Sequence, residues 1–562
     1  MGNTTKYTFK DATVPPELIT GALKDVSPVI LKILYKRGYR TMEALTKVLF
    51  DDINWSFAHT ELQDIERALP LLQKAVAEKS QIVVYQDYDV DGCAAGALCL
   101  EALRHLGATA DNYVNQREVD GYGICVHGID CILSRHPDTK LIITVDNGIV
   151  AHEAISYAKE KGISVIVTDH HAPGETLPSA DAVIDPKRAD ETYPFTELCG
   201  TGVAFKVMLA LYNSLGQNIA AVRNTLDLVA LATVADIVPL IGENRILVRE
   251  GLRMMNERPR PAFRKMCELL DIRKINAHKT IAFQFAPMIN ALSRMGESAD
   301  IAVQIFLESN EDILCKQVSR LIELNKRRKE ETERETKIAE TMIDKDNLPS
   351  AIILENDSFH EGIIGIVAGR LMNRHHRPVI VCCPGNGDVL RASCRSVNGF
   401  HMKDQLDKVA DLLLAYGGHA KAAGLSIRRE NFSAFRDAML RLSDQVDPKN
   451  WIDEKELDAV LDASQVSVSF IQALQQLEPF GEGNPQPLFG LKYKYDDVRF
   501  IGAEAQHVKY ISRSPNLTIL EWGGGERERE RQKQRKVRRK AIGTLELNEY
   551  NGNVSPQFCI KN

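Results

Sequence analysis

The sequence lacks several features that mark common protein classes. Its eleven cysteines are scattered, and none forms a C-x-x-C pair, which argues against a zinc knuckle or a redox dithiol. No stretch reaches the ~18 uninterrupted apolar residues of a membrane span, and residues 1–10 are too polar for a signal peptide. The sequence therefore predicts a soluble, cytoplasmic protein with reduced thiols and no membrane partner.

A strong positive charge is also absent. The formal net charge is −6, so the chain has no uniformly basic surface for a polyanion, and a nucleic acid would have to be met by a local groove or by metal ions. At 562 residues the chain exceeds the size of one hydrophobic core, because single domains usually contain ~100 to 200 residues.

The apolar pattern divides the chain into five predicted regions. Residues 1–70 have helical spacing, and residues 71–308 alternate short β-branched runs with helical stretches, which is typical of a parallel sheet. Residues 309–345, without proline or glycine, predict a connecting helix. A smaller α/β pattern follows in 346–448, and short strands and turns in 449–562 favour a small barrel. The predicted fold class is thus α/β, with a parallel-sheet domain, a long helix, a smaller α/β domain and a C-terminal β-barrel.

Within the last region lies a glycine-led stretch, residues 523–540, with basic residues concentrated in its second half. Such a composition does not bury apolar surface, so we expect a flexible or disordered loop.

Three aspartates follow the first β-branched run, in the sequence DYDVDG. Asp87, Asp89 and Asp91 are spaced by two residues, and like charges this close repel one another unless a cation neutralises them. A calcium EF-hand opens in the same way, but it requires a helix before the loop and a glutamate at its twelfth position, which here is Leu98. The sequence therefore favours a different metal site.

Further ligand types follow three later apolar runs. They are Asp146 in VDNG, the triplet Asp169, His170 and His171 in TDHH, and Asp236 in TVADIVPL. We interpret all of them as strand ends, where open α/β sheets bind ligands. Each motif alone is explained by a polar loop after a strand. Together, carboxylates and imidazoles without cysteine suit manganese or magnesium, and two such ions ~3.5 to 4 Å apart hydrolyse phosphate esters, so phosphodiester hydrolysis is predicted.

These motifs and several later ones together resemble the DHH phosphoesterase superfamily and, within it, the RecJ group of single-strand-specific 5′ to 3′ DNA exonucleases. The resemblance extends over residues 37–562. In chain order, the motifs that carry it are DYDVDG, VDNG, TDHH, TVADIVPL, INALSR, FHEGIIGIVAGRL, RASCRS, GGHAKAAG and EPFGEGNPQP.

The resemblance implies a catalytic centre with two Mn²⁺ or Mg²⁺ ions. One ion would be held by Asp87, Asp89 and Asp146, and the other by Asp91, Asp146, His170 and Asp236. His171 would contact the scissile phosphate or complete the first site, and Asp169 would orient a histidine. The catalytic triplet is then Asp169, His170 and His171.

The resemblance also implies residues that bind the DNA strand. These are Arg294 and, in the second lobe, His360, Ser393, Arg395, Gly417, Gly418 and His419, and they would grip the 5′ end. Without the resemblance, a role in a surface salt bridge explains each basic residue equally well, and a tight turn explains the glycine pair. The C-terminal region resembles an oligonucleotide-binding (OB) barrel in which Phe480, Phe489, Tyr493 and Tyr510 are either base-stacking or core residues.

The chain departs from the family pattern at two positions, where Gln86 replaces the usual glycine and Met288 a common arginine.

Two rival functions remain open. A small-substrate DHH phosphodiesterase, for oligoribonucleotides or cyclic dinucleotides, is shorter and has a histidine where this chain has Tyr85. A non-catalytic DNA-binding scaffold would have lost metal ligands, and this chain retains every candidate.

The resemblance further implies a monomer that acts on single-stranded DNA in repair and recombination. A helicase and a single-strand-binding protein are its implied partners.

Overall fold

A computed structural model describes residues 5–51, 61–116, 120–534, 540–550 and 552–561. Its contacts form two compact units, one comprising residues 57–453 and the other residues 5–56 together with 454–562. The N-terminal helical residues thus belong to the same unit as the C-terminal strands. The α/β class is confirmed, and the five-region boundaries stay predictions.

The first unit begins with a five-stranded parallel sheet in the order β3-β2-β4-β5-β6. Its strands are β2 (Gln81–Gln86), β3 (Ala110–Val114), β4 (Thr139–Val145), β5 (Ser164–Thr168) and β6 (Ala182–Ile184). All six residues of β2 are buried, because helices cover both faces of such a sheet and its strands are therefore continuous apolar runs.

Twelve helices accompany this sheet in the described residues. They are α3 (Ile65–Ala77), α4 (Val90–His105), α5 (Val126–Arg135), α6 (His152–Glu160), α7 (Gly200–Ser214), α8 (Ala220–Arg223), α9 (Leu226–Ala235), α10 (Gly242–Glu257), α11 (Pro261–Leu270), α12 (Ala286–Ile289), α13 (Ala291–Arg294) and α14 (Asp300–Leu307). A π-helix, Ala277–Phe285, precedes α12.

The carboxyl ends of three neighbouring strands lie side by side. Gln86 pairs in register with Val145, and Val145 pairs with Thr168. The segments that follow β2, β4 and β5 therefore leave the sheet at one edge, and they carry the aspartates and histidines of the DYDVDG, VDNG and TDHH motifs.

Asp236 does not follow a strand, and this prediction was wrong. It is the C-terminal cap of helix α9, of which nine residues are buried. A helix that is buried on all sides has no polar face, so its sequence is a continuous apolar run and cannot be distinguished from a buried strand by periodicity. The aspartate nevertheless reaches the same edge of the sheet.

Helix α15 (Glu311–Thr341) is the predicted connecting helix, and it leads to a second sheet in the order β10-β11-β9-β8-β7. These strands are β7 (Ile352–Glu355), β8 (Val379–Pro384), β9 (Val389–Arg395), β10 (Leu413–Gly418) and β11 (Ala422–Arg428). Helices α16 (Glu361–His375), α17 (Met402–Asp407) and α18 (Phe432–Asp444) accompany it. The first unit thus contains two five-stranded sheets, each with its accompanying helices, and α15 joins them.

The second unit combines short N-terminal elements with a seven-stranded mixed sheet, which we call the C-terminal sheet, in the order β13-β14-β18-β19-β17-β16-β15. Its elements are β1 (Thr5–Thr8), α1 (Pro28–Lys36), α2 (Met42–Phe50), β12 (Asp453–Glu456), β13 (Ala459–Asp462), α19 (Val468–Leu474), β14 (Phe489–Lys492), β15 (Asp497–Ile501), β16 (His507–Arg513), β17 (Asn516–Glu521), α20 (Gly525–Lys533), β18 (Lys540–Tyr550) and β19 (Asn553–Ile560). One hydrophobic core unites α1 and α2 with these strands.

For this unit the structure decides between the two alternatives for the aromatic residues, and it overturns one prediction. The aromatic side chains of Phe480, Phe489, Tyr493 and Tyr510 are 5%, 1%, 4% and 0% exposed and belong to the core, so none forms a stacking surface. The stretch that was expected to be a flexible loop contains helix α20, although its residues 535–539 lie outside the described part of the chain. Among the described residues, no helix is both long and apolar enough to cross a membrane.

Candidate metal centre

The first aspartate motif forms the turn from β2 into α4. Asp89 caps this helix, because its Oδ1 accepts hydrogen bonds from the backbone N–H groups of Asp91 at 2.8 Å and Gly92 at 3.1 Å. A β-carbon at Gly92 would lie 2.5 Å from the carbonyl oxygen of Asp87, so only glycine allows the turn to close this tightly. The cap fixes three carboxylates at the edge of the sheet.

Asp91 is held from the opposite side by the start of α7. Its carboxylate accepts hydrogen bonds from the backbone N–H groups of Gly200 and Thr201, both at 2.7 Å, and from Thr201 Oγ1 at 2.6 Å. Asp91 is buried, and these three donors at the N-terminus of a helix fix the position of its side chain.

Asp146 occupies a strained position directly after β4. Its φ angle is +62°, which a residue with a β-carbon rarely adopts. The neighbouring Gly200 leaves no space, since a β-carbon there would lie 2.6 Å from Cβ of Asp146. Such strain persists where the surrounding structure enforces it, and it is common at functional sites. Here it directs a buried carboxylate into the centre of the cluster.

The imidazole of His170 points at three carboxylates. Its Nε2 lies 3.1 Å from Asp146, 3.6 Å from Asp236 and 3.8 Å from Asp91. Burial lowers the pKa of His170 to about 4, so the ring is neutral near pH 7 and a lone pair is available. Neutral imidazole is the form that binds a metal ion.

His171 is oriented by the aspartate of its own triplet. Asp169 Oδ1 lies 2.8 Å from His171 Nδ1, and Asp169 Oδ2 accepts a hydrogen bond from the backbone N–H of Ile149 at 3.0 Å. Burial opposes a charge on the ring, but the hydrogen bond to Asp169 outweighs it and raises the pKa of His171 to about 9. His171 is therefore a cation at neutral pH, and its ring stays partly exposed.

The acidic side chains repel one another. Burial and neighbouring carboxylates raise the pKa of Asp87, Asp89 and Asp146 above the ordinary value, and they raise the pKa of Asp236 to about 8. Asp87 Oδ1, Asp146 Oδ1 and both ring nitrogens of His170 are buried and form no hydrogen bond with any described residue. Buried charges normally have a partner, so these atoms fit divalent cations.

Three groups of side chains could each hold a metal ion, because the ligand atoms within each group lie within 4.8 Å of one another. They are Asp87, Asp89 and Asp146; Asp91, His170 and Asp236; and Asp146, His170 and His171. The first two groups correspond to the ion sites that the family resemblance implies, and Asp146 lies beside both, 3.1 Å from His170. The oxygen and nitrogen ligands suit Mn²⁺ or Mg²⁺.

A cavity of about 650 Å³ opens beside the aspartates within the first unit. Asp87, Asp89 and Tyr122 lie on one side, and Arg294, Ser393, Arg395 and Gly417 line it elsewhere. The structure thus brings four of the seven predicted strand-binding residues together. His360, Gly418 and His419 do not line the cavity; His360 caps helix α16, and the backbone N–H of His419 closes the turn between β10 and β11.

The arginine side of the cavity is preorganised. Arg395 donates hydrogen bonds to Ser393 Oγ at 3.1 Å and to the carbonyl of Cys394 at 2.8 Å, and Arg294 donates to the carbonyl of Gly362 at 3.2 Å. A β-carbon at Gly365 would lie 3.1 Å from Ser393 Oγ and 3.2 Å from the Arg395 guanidinium, so glycine keeps this corner open. The lining of the cavity therefore includes carboxylates and a cationic wall, which is formed by Arg294, Arg391 and Arg395.

Sequence reasoning missed two residues at this cavity. Tyr122 Oη donates to the carbonyl of Asp146 at 3.2 Å and lies 3.0 Å from His171 Nδ1, and Arg391 lines the wall near Arg395. Arg391 belongs to the RASCRS motif and could have been found there. Tyr122 lies in a glycine-containing turn whose sequence gives no sign of its direction.

The two departures from the family pattern are both buried. Gln86 ends β2 and packs against Gly96 of α4, where a β-carbon would collide with its amide. Met288 is in the core on α12 and does not line the cavity. Neither residue contributes to the surface that would meet a substrate.

Three family models match the chain. The DHH family N-terminal domain matches residues 81–233, the DHHA1 domain residues 348–443, and the RecJ OB domain residues 457–562. The fold neighbours include RecJ of Thermus thermophilus in complex with Mn²⁺, with a TM-score of 0.83 and 28% identity over 100% of this chain and 79% of that chain. A second neighbour, exonuclease RecJ bound to manganese, has a TM-score of 0.59 and 32% identity over 70% of this chain and 98% of that chain.

Curated relatives extend the similarity over nearly the whole sequence. The single-stranded-DNA-specific exonuclease RecJ of Escherichia coli is 33% identical over 96% of both chains. The Bacillus subtilis protein of the same name is 32% identical over 95% of this chain and 68% of its own length. The sequence match, the three domains and the fold agree, and the chain belongs to the RecJ family.

Proposed function

We propose that this protein is a metal-dependent exonuclease that hydrolyses single-stranded DNA from its 5′ end. One observation carries the proposal: Asp146, buried and strained, lies beside two ligand groups, and Asp87 and Asp89 of the first group line a cavity that also has arginines in its lining. Family membership and relatives named single-stranded-DNA-specific exonucleases support the same activity.

The ligand groups would hold two ions, Mn²⁺ or Mg²⁺. Asp87, Asp89 and Asp146 would bind one, and Asp91, Asp146, His170 and Asp236 the other. The bound ions would supply an activated water molecule and stabilise the negative charge that develops on the phosphate. The chain itself contributes the placement of these oxygens, which the α4 cap, the start of α7 and the strained Asp146 backbone enforce.

His171 is the protein group best suited to the scissile phosphate. It is cationic at neutral pH, Asp169 Oδ1 lies 2.8 Å from its Nδ1, and its Nε2 lies 3.2 Å from Tyr122 Oη. Tyr122 approaches the same ring and could donate to the same phosphate oxygens. Because Asp169 acts through His171, it is a positioning residue.

The cationic wall is proposed to hold the 5′ phosphate. Arg395 presents a guanidinium that Ser393 and the backbone hold in place, and Arg294 completes the pair. Arginine binds phosphate through two parallel N–H groups. A volume of about 650 Å³ is within the usual range for small-molecule sites and accommodates a terminal nucleotide between this wall and the metal ligands.

The C-terminal sheet offers a different surface for the rest of the strand. Trp522 is 53% exposed, and the ring of His507 supports its indole edge-on at 4.8 Å between centroids. Lys509 and Arg513 alternate with buried residues along β16 and lie on the same face as His507. An exposed aromatic ring beside cations suits single-stranded nucleic acid of any sequence.

Two rival functions remain as outcomes of the test. A small-substrate phosphodiesterase would require only the first unit, yet the RecJ OB domain model matches residues 457–562. A non-catalytic scaffold would need neither the strained backbone of Asp146 nor buried carboxylate oxygens that form no hydrogen bond with any described residue. Cytoplasmic location, a monomeric state, helicase and single-strand-binding partners, and a role in repair and recombination are proposals that rest on the family alone.

The test uses single strands labelled at either end, with a 5′ phosphate or a 5′ hydroxyl, in Mn²⁺, in Mg²⁺ and in chelator, with a duplex control. We expect metal-dependent release of mononucleotides from the 5′ end of single strands. Asp91→Ala and His170→Ala should abolish hydrolysis while DNA binding persists, and Arg395→Met should reduce the preference for the 5′ phosphate. Tight binding without cleavage in either metal would contradict the proposal and favour a scaffold, and cleavage of dinucleotides only would favour the small-substrate enzyme.

A further inference from the structure

A second cluster of reactive groups lies on helix α5, outside the metal centre. His127 and Cys131 are one helical turn apart, and His127 Nε2 is 3.7 Å from Cys131 Sγ. The other ring nitrogen, Nδ1, lies 2.7 Å from Asp120 Oδ1. A thiol, an imidazole and a carboxylate therefore follow one another in the order of nucleophile, base and orienting acid.

The carboxylate of this cluster is fixed. Asp120 has a buried side chain, and its Oδ2 accepts hydrogen bonds from the backbone N–H of Gln116 at 2.7 Å and from Tyr113 Oη at 3.1 Å. A carboxylate on Nδ1 keeps the proton on that nitrogen. Nε2 is then left as the acceptor for the Cys131 proton.

The surroundings of Cys131 differ from those of five buried thiols and of the exposed Cys315. Burial raises the pKa of Cys93, Cys99, Cys199, Cys382 and Cys394, which makes them inert. Cys131 is partly exposed, and Arg135, one turn further along α5, places its guanidinium over the ring of Tyr113 at 5.6 Å. Cys315 is more exposed and forms no hydrogen bond with an imidazole in the described part of the chain.

We propose that Cys131 is a reactive thiol, activated by His127 and Asp120, and a site of modification by peroxides and alkylating agents. His127 Nε2 takes the thiol proton, and the thiolate attacks one oxygen of hydrogen peroxide. A sulfur–oxygen bond forms and the oxygen–oxygen bond breaks, so that sulfur is oxidised by two electrons to sulfenic acid. The departing hydroxide takes the proton from Nε2 and leaves as water.

The modification has a route to the metal centre. Asp120 begins the segment 120–125, which carries Tyr122 to the carbonyl of Asp146 and to His171. An oxygen added to Cys131 competes for His127 and loosens its contact with Asp120. We expect oxidation to slow DNA hydrolysis, an extension that rests on the proposed function.

The test compares two thiols within the same intact protein. The chain is treated with dilute hydrogen peroxide at pH 7, sulfenic acid is trapped with a dimedone reagent, and labelled peptides are quantified by mass spectrometry; iodoacetamide provides a second probe. We expect Cys131 to react at least about fivefold faster than Cys315. His127→Gln should bring Cys131 to the rate of Cys315 while the Cys315 rate, which controls for folding, stays unchanged.

A smaller difference between the two thiols, or an unchanged Cys131 rate in His127→Gln, would overturn the proposal. The regulatory extension is tested by DNA hydrolysis after peroxide treatment, with Cys131→Ser as the control. Equal inhibition of the wild type and of Cys131→Ser would reject it. An untreated protein without nuclease activity would contradict the proposed function instead, and the labelling rates would still decide whether Cys131 is reactive.

Discussion

Two groups of buried acidic side chains differ in what surrounds them. At the metal centre, Asp87 and Asp146 have buried oxygens that accept no hydrogen bond from any described residue. In the C-terminal sheet, Glu521 and Glu528 are equally buried, but Arg531 donates to both of them and Tyr510 Oη lies 3.0 Å and 2.8 Å from their oxygens. Both groups are carboxyl side chains that are almost fully buried.

The comparison shows that the partner, and not the buried acid, indicates function. In a buried pair of a carboxylate with arginine, the mutual attraction offsets much of the desolvation cost, and removal of the arginine exposes that cost in full. Buried carboxylates without a protein cation are costly as they stand, so an external cation must supply the compensation. The following predictions test this distinction.

The largest effect is expected from Asp146→Asn. Removal of a carboxylate that lies beside both ligand groups should reduce hydrolysis by about 10³-fold or more, because each electrostatic contribution at such a site is worth about 10²- to 10³-fold. In chelator the variant should unfold at a higher temperature than the wild type, since one repelling charge is gone. Asp181→Asn, at the opposite edge of the same sheet, is the matched control and should change neither value.

Arg531→Met should produce the opposite result in the C-terminal sheet. It removes the arginine that both glutamates share, so that Glu528 loses its ion pair with Arg531 and Glu521 keeps only Arg527. The expected loss is about 3 kcal/mol in the free energy of unfolding. Arg499→Met breaks the exposed pair with Asp497 and should cost less than about 0.5 kcal/mol. Denaturant unfolding followed by tryptophan fluorescence measures both. Equal losses would mean that burial does not distinguish the two pairs.

Metal binding should protect only the first unit. At a free Mn²⁺ concentration of about one hundred times the dissociation constant, the stabilisation is about 2.7 kcal/mol. Hydrogen exchange should therefore slow in β2, β4 and α4 and stay unchanged in β16 and β17. Slower exchange in both units would show that the ions bind elsewhere.

Asp169→Asn tests the orientation of His171. The amide can still accept from Ile149, but it no longer stabilises a charged imidazole, and loss of such a supporting carboxylate costs about 10- to 100-fold in activity. The pKa of His171, which its hydrogen bond to Asp169 raises to about 9, should fall toward the ordinary value. NMR titration of His171 in chelator measures it, and an unchanged pKa would refute the role of Asp169.

The smallest effect is expected from Trp522→Ala. Loss of one stacked base costs about 1 to 3 kcal/mol, which should weaken the binding of long single strands and leave the hydrolysis of very short ones unchanged. Phe50→Ala, which removes another exposed aromatic ring from the same unit, is the control. Equal weakening in both variants would argue against a specific face.

The sequence predicts those parts of the site that follow a buried strand. Asp87, Asp146 and His170 each come after a run of apolar residues, and the geometry of a parallel sheet then brings them together. Asp236 was recognised as a ligand candidate but placed after the wrong element, because a fully buried helix has no periodicity to read.

The C-terminal unit was harder to predict because its pattern depends on tertiary contacts. Tyr510 alternates with Lys509 along β16, and the sequence does not tell which face of the strand is buried. Helix α20 contains no apolar residue, and its stability comes from the pairing of Arg531 with Glu521 and Glu528. Trp522 was not recognised as a candidate DNA-binding residue, because the strands packed around it determine whether its indole ring is exposed.

The most direct test of the central claim is the number of Mn²⁺ ions bound per chain, measured by equilibrium dialysis and metal analysis. The account predicts two ions for the wild type and fewer for Asp146→Asn, with no change for Arg531→Met as long as it is folded. A wild-type chain that binds no Mn²⁺, or an Asp146→Asn variant that still binds two ions with unchanged affinity, would contradict it.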